Sequence, residues 1–159
     1  GQATAKMALG LGMKVIAADS FIDKVDVKVE FFDGQSVTTT IVSQSLESLF
    51  KEADFISLHV PAQNGYIISK AELAIMKDGV GIVNCARGGV IDEIALIDAL
   101  DSGKVGFAGL DVFESEPKPE MKILMHPKIS LTPHIGAATG EAQDRIGTEL
   151  AQQIISILG

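Results

Sequence analysis

Short apolar runs alternate with helix-like segments along most of the chain. Runs with the length and composition of buried parallel strands lie at residues 14–18, 54–60, 80–84, 106–112 and 129–132. Segments with helical spacing or helix end signals lie around them, at residues 2–11, 45–51, 69–76, 92–102 and from 139 onward. This alternation predicts an α/β fold, a doubly wound parallel sheet with right-handed crossovers.

Several predicted helices have residues suited to their ends. Ser45 and Asp92 are expected to cap helix N-termini, and Ser69 with Glu72 has the spacing of a capping box. Gly103 should end the helix that Asp92 begins, because glycine readily takes a left-handed cap conformation. The last helix, capped by Thr139, is expected to carry one apolar stripe made of Ala142, Ile146, Leu150, Ile154 and Leu158.

One segment departs from the parallel-strand pattern. Residues 25–31 alternate strictly, with three valines and Phe31 on one face and charged side chains on the other. The Asp33-Gly34 pair suits a tight turn, which leads back into a second run at 37–42. We therefore predict an antiparallel β-hairpin inserted at the edge of the sheet.

Size and charge limit the possible functions. The chain has 159 residues, of which 47% are hydrophobic and 21% charged, so one globular domain is expected over residues 1–159. A formal net charge of -8 disfavours general nucleic-acid binding, because most of the surface would repel a phosphate backbone. No apolar run reaches the roughly 18 residues that a membrane span needs, so a soluble protein is predicted.

The single cysteine and the chain start bear on location. Cys85 cannot form an internal disulfide, and no Cys/His cluster suggests a metal site, so a reducing cytoplasmic location is expected. The first residues form neither a cleavable signal nor an Arg-rich transit peptide, and an initiating Met is lacking. We expect the chain to begin inside a longer protein.

Ligands of doubly wound sheets bind beyond the carboxyl ends of the strands. Gly1, the helix and strand after it, and Asp19 match the second half of a dinucleotide-binding fingerprint, in which the acidic side chain binds ribose hydroxyls. The earlier glycines and the first strand would precede residue 1. Alternatively, Gly1 is an ordinary residue and Asp19 a solvated strand end.

Chemically useful side chains follow the later strands. Arg87 could bind a carboxylate with two parallel hydrogen bonds, or could pair with nearby acidic residues on the surface. His134 lies in a loop after a predicted strand and suits a general acid/base. Glu114 or Glu116 could orient a histidine, or both could be solvated, whereas Cys85 suits packing better than nucleophilic catalysis.

Several ordered motifs together resemble one known family, the NAD-binding domain of the D-isomer-specific 2-hydroxyacid dehydrogenases. The matching runs are at residues 1–19, Ala53-Asp54-Phe55-Ile56-Ser57-Leu58-His59-Val60-Pro61, Asn84-Cys85-Ala86-Arg87-Gly88-Gly89, residues 109–117 and Thr132-Pro133-His134-Ile135-Gly136-Ala137. The resemblance implies a Rossmann domain, NAD as cofactor and an oxidoreductase that acts on a small 2-hydroxy or 2-oxo acid. Within the family, the run at 84–89 most resembles the phosphoglycerate dehydrogenase branch.

The resemblance also implies residue roles. Arg87 would bind and polarise the substrate, His134 would be the acid/base, and Glu116 would pair with His134. The residues implied to bind the cofactor are Gly1, Asp19, Val60, Pro61, Cys85, Ala86, Arg87, Asp111, His134, Gly136 and Ala137. Among them, Asp19 would hold the adenosine ribose and Asp111 the carboxamide.

Some features depart from the family pattern. The loop after Pro61 is about two residues shorter than usual, so a cofactor contact usually found there has no certain counterpart, and the hairpin is an addition. Family members also have a substrate-binding domain, built from both chain ends, which is expected to be absent here together with the first strand. The whole protein is expected to form a homo-oligomer, a dimer or tetramer. Alternative functions are a lactate, glycerate or glyoxylate enzyme of the family, or an NAD-sensing corepressor.

Overall fold

The computed structural model describes residues 1–136 and 138–158. Its helices are α1 (Gln2–Gly10), α2 (Leu46–Glu52), α3 (Lys70–Ile75), α4 (Glu93–Ser102), α5 (Met121–Leu124) and α6 (Gly140–Leu158). Its strands are β1 (Lys24–Glu30), β2 (Ser36–Val42), β3 (Phe55–Leu58), β4 (Val80–Asn84), β5 (Val105–Leu110) and β6 (Ile129–Leu131). The predicted α/β class is confirmed.

Four strands form a parallel sheet in the order β3-β4-β5-β6. Each strand is joined to the next by a segment that contains a helix, as the alternating pattern predicts. The final residues of the strands pair with one another across the ladder: Leu58 with Asn84, Asn84 with Leu110, and Leu110 with Leu131. The loops that follow all four strands therefore start at one level on one edge of the sheet.

The predicted caps form as expected. Ser45 accepts a hydrogen bond from Ser48 N, and Asp92 accepts one from Ala95 N. Ser69 and Glu72 form a complete capping box at the start of α3. Gly103 ends α4 in the left-handed region, at φ 80°.

The main hydrophobic core lies between the parallel sheet and the helices α2 to α5. Its fully buried side chains include Ile68, Ile82, Leu96, Leu100, Val105 and Ile123. On the sheet itself, the Phe55 and Phe107 rings lie 6.1 Å apart and leave no room for a side chain at Gly81. Burial of the core side chains stabilises the sheet and so fixes the loops at its edge.

The predicted hairpin is present, with all seven residues of β1 paired antiparallel to β2. It forms a two-stranded sheet of its own, outside the order β3-β4-β5-β6. Val27 and Ile41 are its buried residues, and α1 packs beside β1. The Asp33 carboxylate accepts a hydrogen bond from Gln35 N, and Gly34 has φ 85°, which accounts for the turn.

The strand predicted at 14–18 is not formed as a strand. Only Ala17 makes a ladder contact, an isolated parallel bridge to Ser43. Among the described residues, no strand lies beside this segment to pair with the rest of it, so its apolar sequence alone does not produce a ladder. Ile16 nevertheless packs against the core.

The chain after β5 differs from expectation in two further ways. A short helix, α5, follows the proline-rich loop, where none was predicted. The long helix α6 forms, and Ala142 is its one buried residue. The rest of its predicted apolar stripe is exposed. The stripe satisfies helical periodicity, yet nothing in the described part of the chain covers it beyond the first turn.

Candidate functional site

Most of the predicted site residues follow strands of the parallel sheet at its carboxyl edge. Val60 and Pro61 follow β3, Asn84 ends β4, and Asp111 follows β5. The ladder continues one step beyond the strands, because Asp111 N donates to Asn84 O and Thr132 N donates to Leu110 O, both at 3.0 Å. The loop that contains His134 therefore begins beside Asp111.

His134 and Glu116 are in direct contact. The distance from His134 Nδ1 to Glu116 Oε2 is 2.7 Å. The other Glu116 oxygen accepts a hydrogen bond from Phe113 N at 3.0 Å. These hydrogen bonds, first the one with His134 and then the one from Phe113, lower the pKa of Glu116, so the carboxylate stays charged near neutral pH.

Asp111 holds the backbone of the His134 loop. Its carboxylate, in a residue only 3% exposed, accepts hydrogen bonds from Ile135 N at 2.9 Å and Gly136 N at 3.0 Å. Thr132 Oγ1 donates to it as well. Burial by itself would raise the pKa of Asp111, but these hydrogen bonds and the nearby His134 lower it, which keeps the group ionised.

His134 has a backbone conformation that histidines rarely adopt. Its φ is 56°, in the left-handed region, which costs an L-residue about 1–2 kcal/mol. The two amides that follow it are the ones bound to Asp111. Asp111 therefore stabilises the conformation from which the imidazole reaches Glu116.

Asn84 and Gly88 shape the loop that carries Arg87. Buried Asn84 donates from Nδ2 to Arg87 O at 2.9 Å and accepts from Ala86 N at 3.1 Å. A Cβ added at Gly88 would lie 1.9 Å from Phe113 O, so this position requires glycine. The Arg87 loop and the loop that leads to Glu116 thus touch directly.

Arg87 itself is exposed, and its guanidinium donates to Ala86 O at 2.6 Å. The alternative surface pairing with Asp92 or Glu93 does not occur in the part of the chain that the structure describes: Glu93 accepts from Glu114 N, and Asp92 caps α4. Cys85, two residues before Arg87, is exposed rather than packed in the core as expected. Partial desolvation together with the Asp111 charge raises the pKa of its thiol. This environment disfavours the thiolate that nucleophilic chemistry requires.

Asp19 lies where the first chain segment meets the hairpin. Its Oδ1 accepts hydrogen bonds from Phe21 N at 2.8 Å and Ile22 N at 3.1 Å. Ser43 Oγ binds Asp19 twice, accepting from its amide and donating to its carbonyl. The carboxylate is therefore exposed but held in one orientation, as a ribose-binding group must be.

The remaining predicted cofactor residues lie at the β3 end of the site or in the His134 loop. Val60 is partly buried against the core, and Pro61 is exposed. Gly1 lies beside the His59 ring, since a Cβ there would be 3.7 Å from it. Ala137 is outside the described residues, while its neighbour Gly136 lies over Asp111.

Sequence reasoning missed the supporting contacts of this site. It did not assign Thr132, Ser43 or Asn84 Nδ2, nor the pairing of Glu93 with Glu114 across 21 positions. The sequence shows Glu93 only as an acidic residue directly after the helix cap Asp92, which is common in a first helical turn and does not reveal its burial. Its partner becomes visible only in three dimensions.

The site fits a dinucleotide in form and polarity. It combines the edge of a parallel sheet, an oriented exposed carboxylate at Asp19 and a glycine, Gly88, at a close approach of two loops. The described residues contain no group of three His, Cys, Asp or Glu side chains that could hold a metal ion. Of the helices described, none combines the length and apolar character needed to cross a membrane.

Comparison with known proteins gives a family match. The family described as "D-isomer specific 2-hydroxyacid dehydrogenase, NAD binding domain" matches residues 1–136. A hydroxypyruvate reductase of Thermotoga maritima is 49% identical over all of this chain and 50% of its own length. A D-3-phosphoglycerate dehydrogenase of Methanocaldococcus jannaschii is 42% identical over 99% of this chain and 29% of its own.

A solved structure agrees with the sequence comparison. The D-lactate dehydrogenase of Aquifex aeolicus, complexed with NAD and lactic acid, matches with a TM-score of 0.75 and 33% identity. The match covers 99% of this chain and 50% of that one. The chain thus spans half or less of the length of these three relatives.

Proposed function

The chain belongs to the D-isomer specific 2-hydroxyacid dehydrogenase family as its NAD-binding domain, and from this membership we propose that the full-length protein transfers a hydride between NAD and a D-2-hydroxy acid. One observation carries the proposal. His134, in a loop beyond the sheet edge, is hydrogen-bonded to a charged carboxylate at 2.7 Å. A histidine whose ring nitrogen is paired with a carboxylate in this way suits the role of a general acid/base.

His134 is proposed to move the proton that accompanies the hydride. When bound, the cofactor would donate the hydride as NADH in one direction and accept it as NAD⁺ in the other. Because Nδ1 is bonded to Glu116, Nε2 is the ring nitrogen that exchanges a proton with the substrate oxygen. In the reducing direction Nε2 protonates the carbonyl oxygen as the carbon gains the hydride, and Glu116 stabilises the charged imidazole beforehand.

Arg87 is proposed to bind the carboxylate common to all substrates of this class. Its guanidinium is exposed on a loop fixed by Asn84 and Gly88, next to the loop that leads to Glu116. A guanidinium binds a carboxylate with two parallel hydrogen bonds, which sets the orientation of the adjoining carbonyl. Its positive charge also stabilises negative charge that develops on the carbonyl oxygen.

The cofactor is proposed to lie along the edge of the sheet. Asp19 binds the adenosine ribose, while Val60 and Pro61 line the adenine side. Cys85 and Ala86 lie against the nicotinamide ribose, and Asp111 is near the carboxamide. The other proposed contacts are with Gly1, Arg87, His134, Gly136 and Ala137. The oriented carboxylate of Asp19 supports this placement.

For the substrate we propose 3-phosphoglycerate, oxidised to 3-phosphohydroxypyruvate, the entry step of L-serine biosynthesis. The run Asn84-Cys85-Ala86-Arg87-Gly88-Gly89 and the 42% identity to a D-3-phosphoglycerate dehydrogenase support it. A second candidate, the reduction of hydroxypyruvate to glycerate, is favoured by the 49% identity to a hydroxypyruvate reductase. Compared in the reducing direction, 3-phosphohydroxypyruvate and hydroxypyruvate are both three-carbon 2-oxo acids and differ by one phosphate.

The test is NADH oxidation by the full-length protein with 3-phosphohydroxypyruvate, hydroxypyruvate, glyoxylate and pyruvate, each compared by kcat/KM. We expect the phosphorylated acid to have the highest value. A preference for hydroxypyruvate would support the second candidate. Failure to reduce any of the four, with NADH still bound, would contradict the proposal and favour an NAD-sensing function. Light scattering of the same sample tests the proposed homo-oligomer.

A further inference from the structure

Two acidic residues bind each other's backbone at the junction of α4 and the loop after β5. Glu114 N donates to Glu93 Oε1 at 2.8 Å, and Glu93 N donates to Glu114 Oε1 at 2.9 Å. We call this reciprocal pair of hydrogen bonds the Glu93–Glu114 clamp. Glu93 is the first residue of α4, and its amide is one of those that helical hydrogen bonds leave without a partner. The Glu114 carboxylate therefore also satisfies the positive end of the helix.

The clamp holds the segment that carries Glu116. Phe113, directly before Glu114, donates its amide to Glu116 Oε1, and the other oxygen of Glu116 binds His134. On its other side, Phe113 O lies against Gly88, next to Arg87. The start of α4 thus restrains a chain of contacts that ends at the two groups proposed to bind the substrate and move its proton.

The clamp keeps a carboxylate in an unfavourable place. Glu93 is only 6% exposed, and burial raises its pKa, with further contributions from the negative charges of Glu114, Glu120 and Glu116. Asp92 caps the same helix, and the Tyr66 hydroxyl donates to Glu114 Oε2 at 3.2 Å. A buried acid among acidic neighbours costs stability, so packing alone does not explain its presence.

We propose that Glu93 and Glu114 are positioning residues, which fix the loop at 113–116 so that Glu116 meets His134 in a productive geometry. Only the expected change in kcat rests on the proposed function; the positioning of Glu116 does not. Loss of one clamp bond frees Glu114 N or Glu93 N and lets the loop move, which lengthens the contact from Glu116 to His134. Neither clamp residue touches the substrate in this proposal, so binding of NADH and of the acid should change little.

The test compares Glu93→Ala and Glu114→Ala with the wild-type full-length protein. Both should lower kcat by roughly tenfold with KM nearly unchanged, which is below the ~100-fold that a 1 Å misplacement can cost. Glu93→Gln should recover most of the activity, because its amide oxygen still accepts from Glu114 N. Glu120→Ala is the matched control, since it removes a charge that acts on Glu93 without removing a clamp bond.

A second readout does not depend on activity. With ¹³C-labelled histidine, NMR follows the titration of the His134 ring in each variant of the full-length protein. Both alanine variants should shift this titration measurably to lower pH, because a looser carboxylate favours the imidazolium less. Glu93→Gln and Glu120→Ala should leave it close to wild type. Because Glu114 is exposed, its variant should fold even if Glu93→Ala does not.

The outcomes separate the inference from the proposed function. If the wild type reduces none of the acids, the NMR titrations still decide whether the clamp positions Glu116. An unshifted His134 titration in Glu114→Ala overturns the inference, whatever the enzyme activity. A shift of the same size in Glu120→Ala also overturns it, because loss of charge rather than of the clamp would then be responsible.

Discussion

At the scale of single residues, the site depends on how the chain orients two exposed groups. His134 and Glu116 have side chains that are 47% and 35% exposed, so solvent screens their interaction. Their geometry is nevertheless well determined, because Asp111 holds one loop and Phe113 N holds the other carboxylate oxygen. The first prediction therefore removes the negative charge of Glu116 and keeps the size of its side chain.

Glu116→Gln should move the high-pH limb of ketoacid reduction to lower pH. In the proposed mechanism reduction needs protonated His134, and the Glu116 carboxylate should favour that form, since the same hydrogen bond lowers the pKa of Glu116. Without that charge, the ring should lose its proton at a lower pH, so the rate of reduction should begin to fall at a lower pH. A pH-rate profile measures the shift, with Glu120→Gln as the control for charge.

His134→Ala belongs to the same experiment. It should lower kcat by roughly 100- to 10,000-fold, the usual contribution of a general acid/base, while NADH still binds. Near-normal reduction by this variant between about pH 6 and 9 would falsify the assignment of His134.

The second prediction concerns Asp19 and the choice between NAD and NADP. Its carboxylate is oriented by two backbone amides, and it should bind a ribose 2'-hydroxyl but repel a 2'-phosphate. Asp19→Ala should narrow the preference for NADH over NADPH, measured as the ratio of kcat/KM values. Asp23→Ala removes a nearby charge and should leave the ratio unchanged. Equal use of both cofactors by the wild type would contradict the role.

At the scale of elements, local signals in the sequence defined most boundaries. The residues of β4 are those predicted, because a short apolar run between helix caps leaves few alternatives. The segment 14–18 shows the limit of such signals, since a ladder needs a neighbouring strand and only Ser43 reaches it. Likewise, α5 has four residues and no capping side chain, so its sequence carries little helical signal.

The hairpin supplies a prediction at this scale. Replacing residues 25–42 by a two-residue turn should preserve NAD binding, because the chain ends that remain already lie close together: Ser43 N donates to Asp23 O at 2.7 Å. Ser43 must remain, since its hydroxyl binds the backbone of Asp19. The matched control extends the deletion through Ser43 and should weaken NADH binding, measured by titration. If the shorter deletion abolishes binding in a folded protein, the hairpin is part of the site.

At the scale of the molecule, sequence motifs could indicate the family and the candidate catalytic residues. They could not indicate the contacts that hold those residues in place. Arg87, Glu116 and His134 were identifiable because they lie in ordered runs that resemble a known family. The Glu93–Glu114 clamp and the hold of Asp111 on the His134 loop join positions at least 21 residues apart. Such pairs depend on how strands align at the sheet edge, which no local pattern specifies.

The side chains of this site are proposed to contact the atoms that all 2-hydroxy acids have in common. Arg87 is proposed to bind the carboxylate and His134 to exchange a proton with the oxygen on the adjacent carbon. The chain covers 50% of the Thermotoga maritima hydroxypyruvate reductase and 29% of the Methanocaldococcus jannaschii phosphoglycerate dehydrogenase. We therefore expect the rest of each protein to contribute to the choice of acid.

An exchange of this chain into the Thermotoga maritima enzyme tests that division of roles. The matching segment is 49% identical, so the replacement should fold and keep the preference for NADH that we assign to Asp19. The hybrid should retain the host's order of preference among hydroxypyruvate, 3-phosphohydroxypyruvate and glyoxylate, measured as kcat/KM ratios. The matched control is the hybrid with Asp19→Ala, which should change the NADH to NADPH ratio and leave the order of acids unchanged. A hybrid that adopts the acid preference of the donor protein would show that residues of this chain select the substrate.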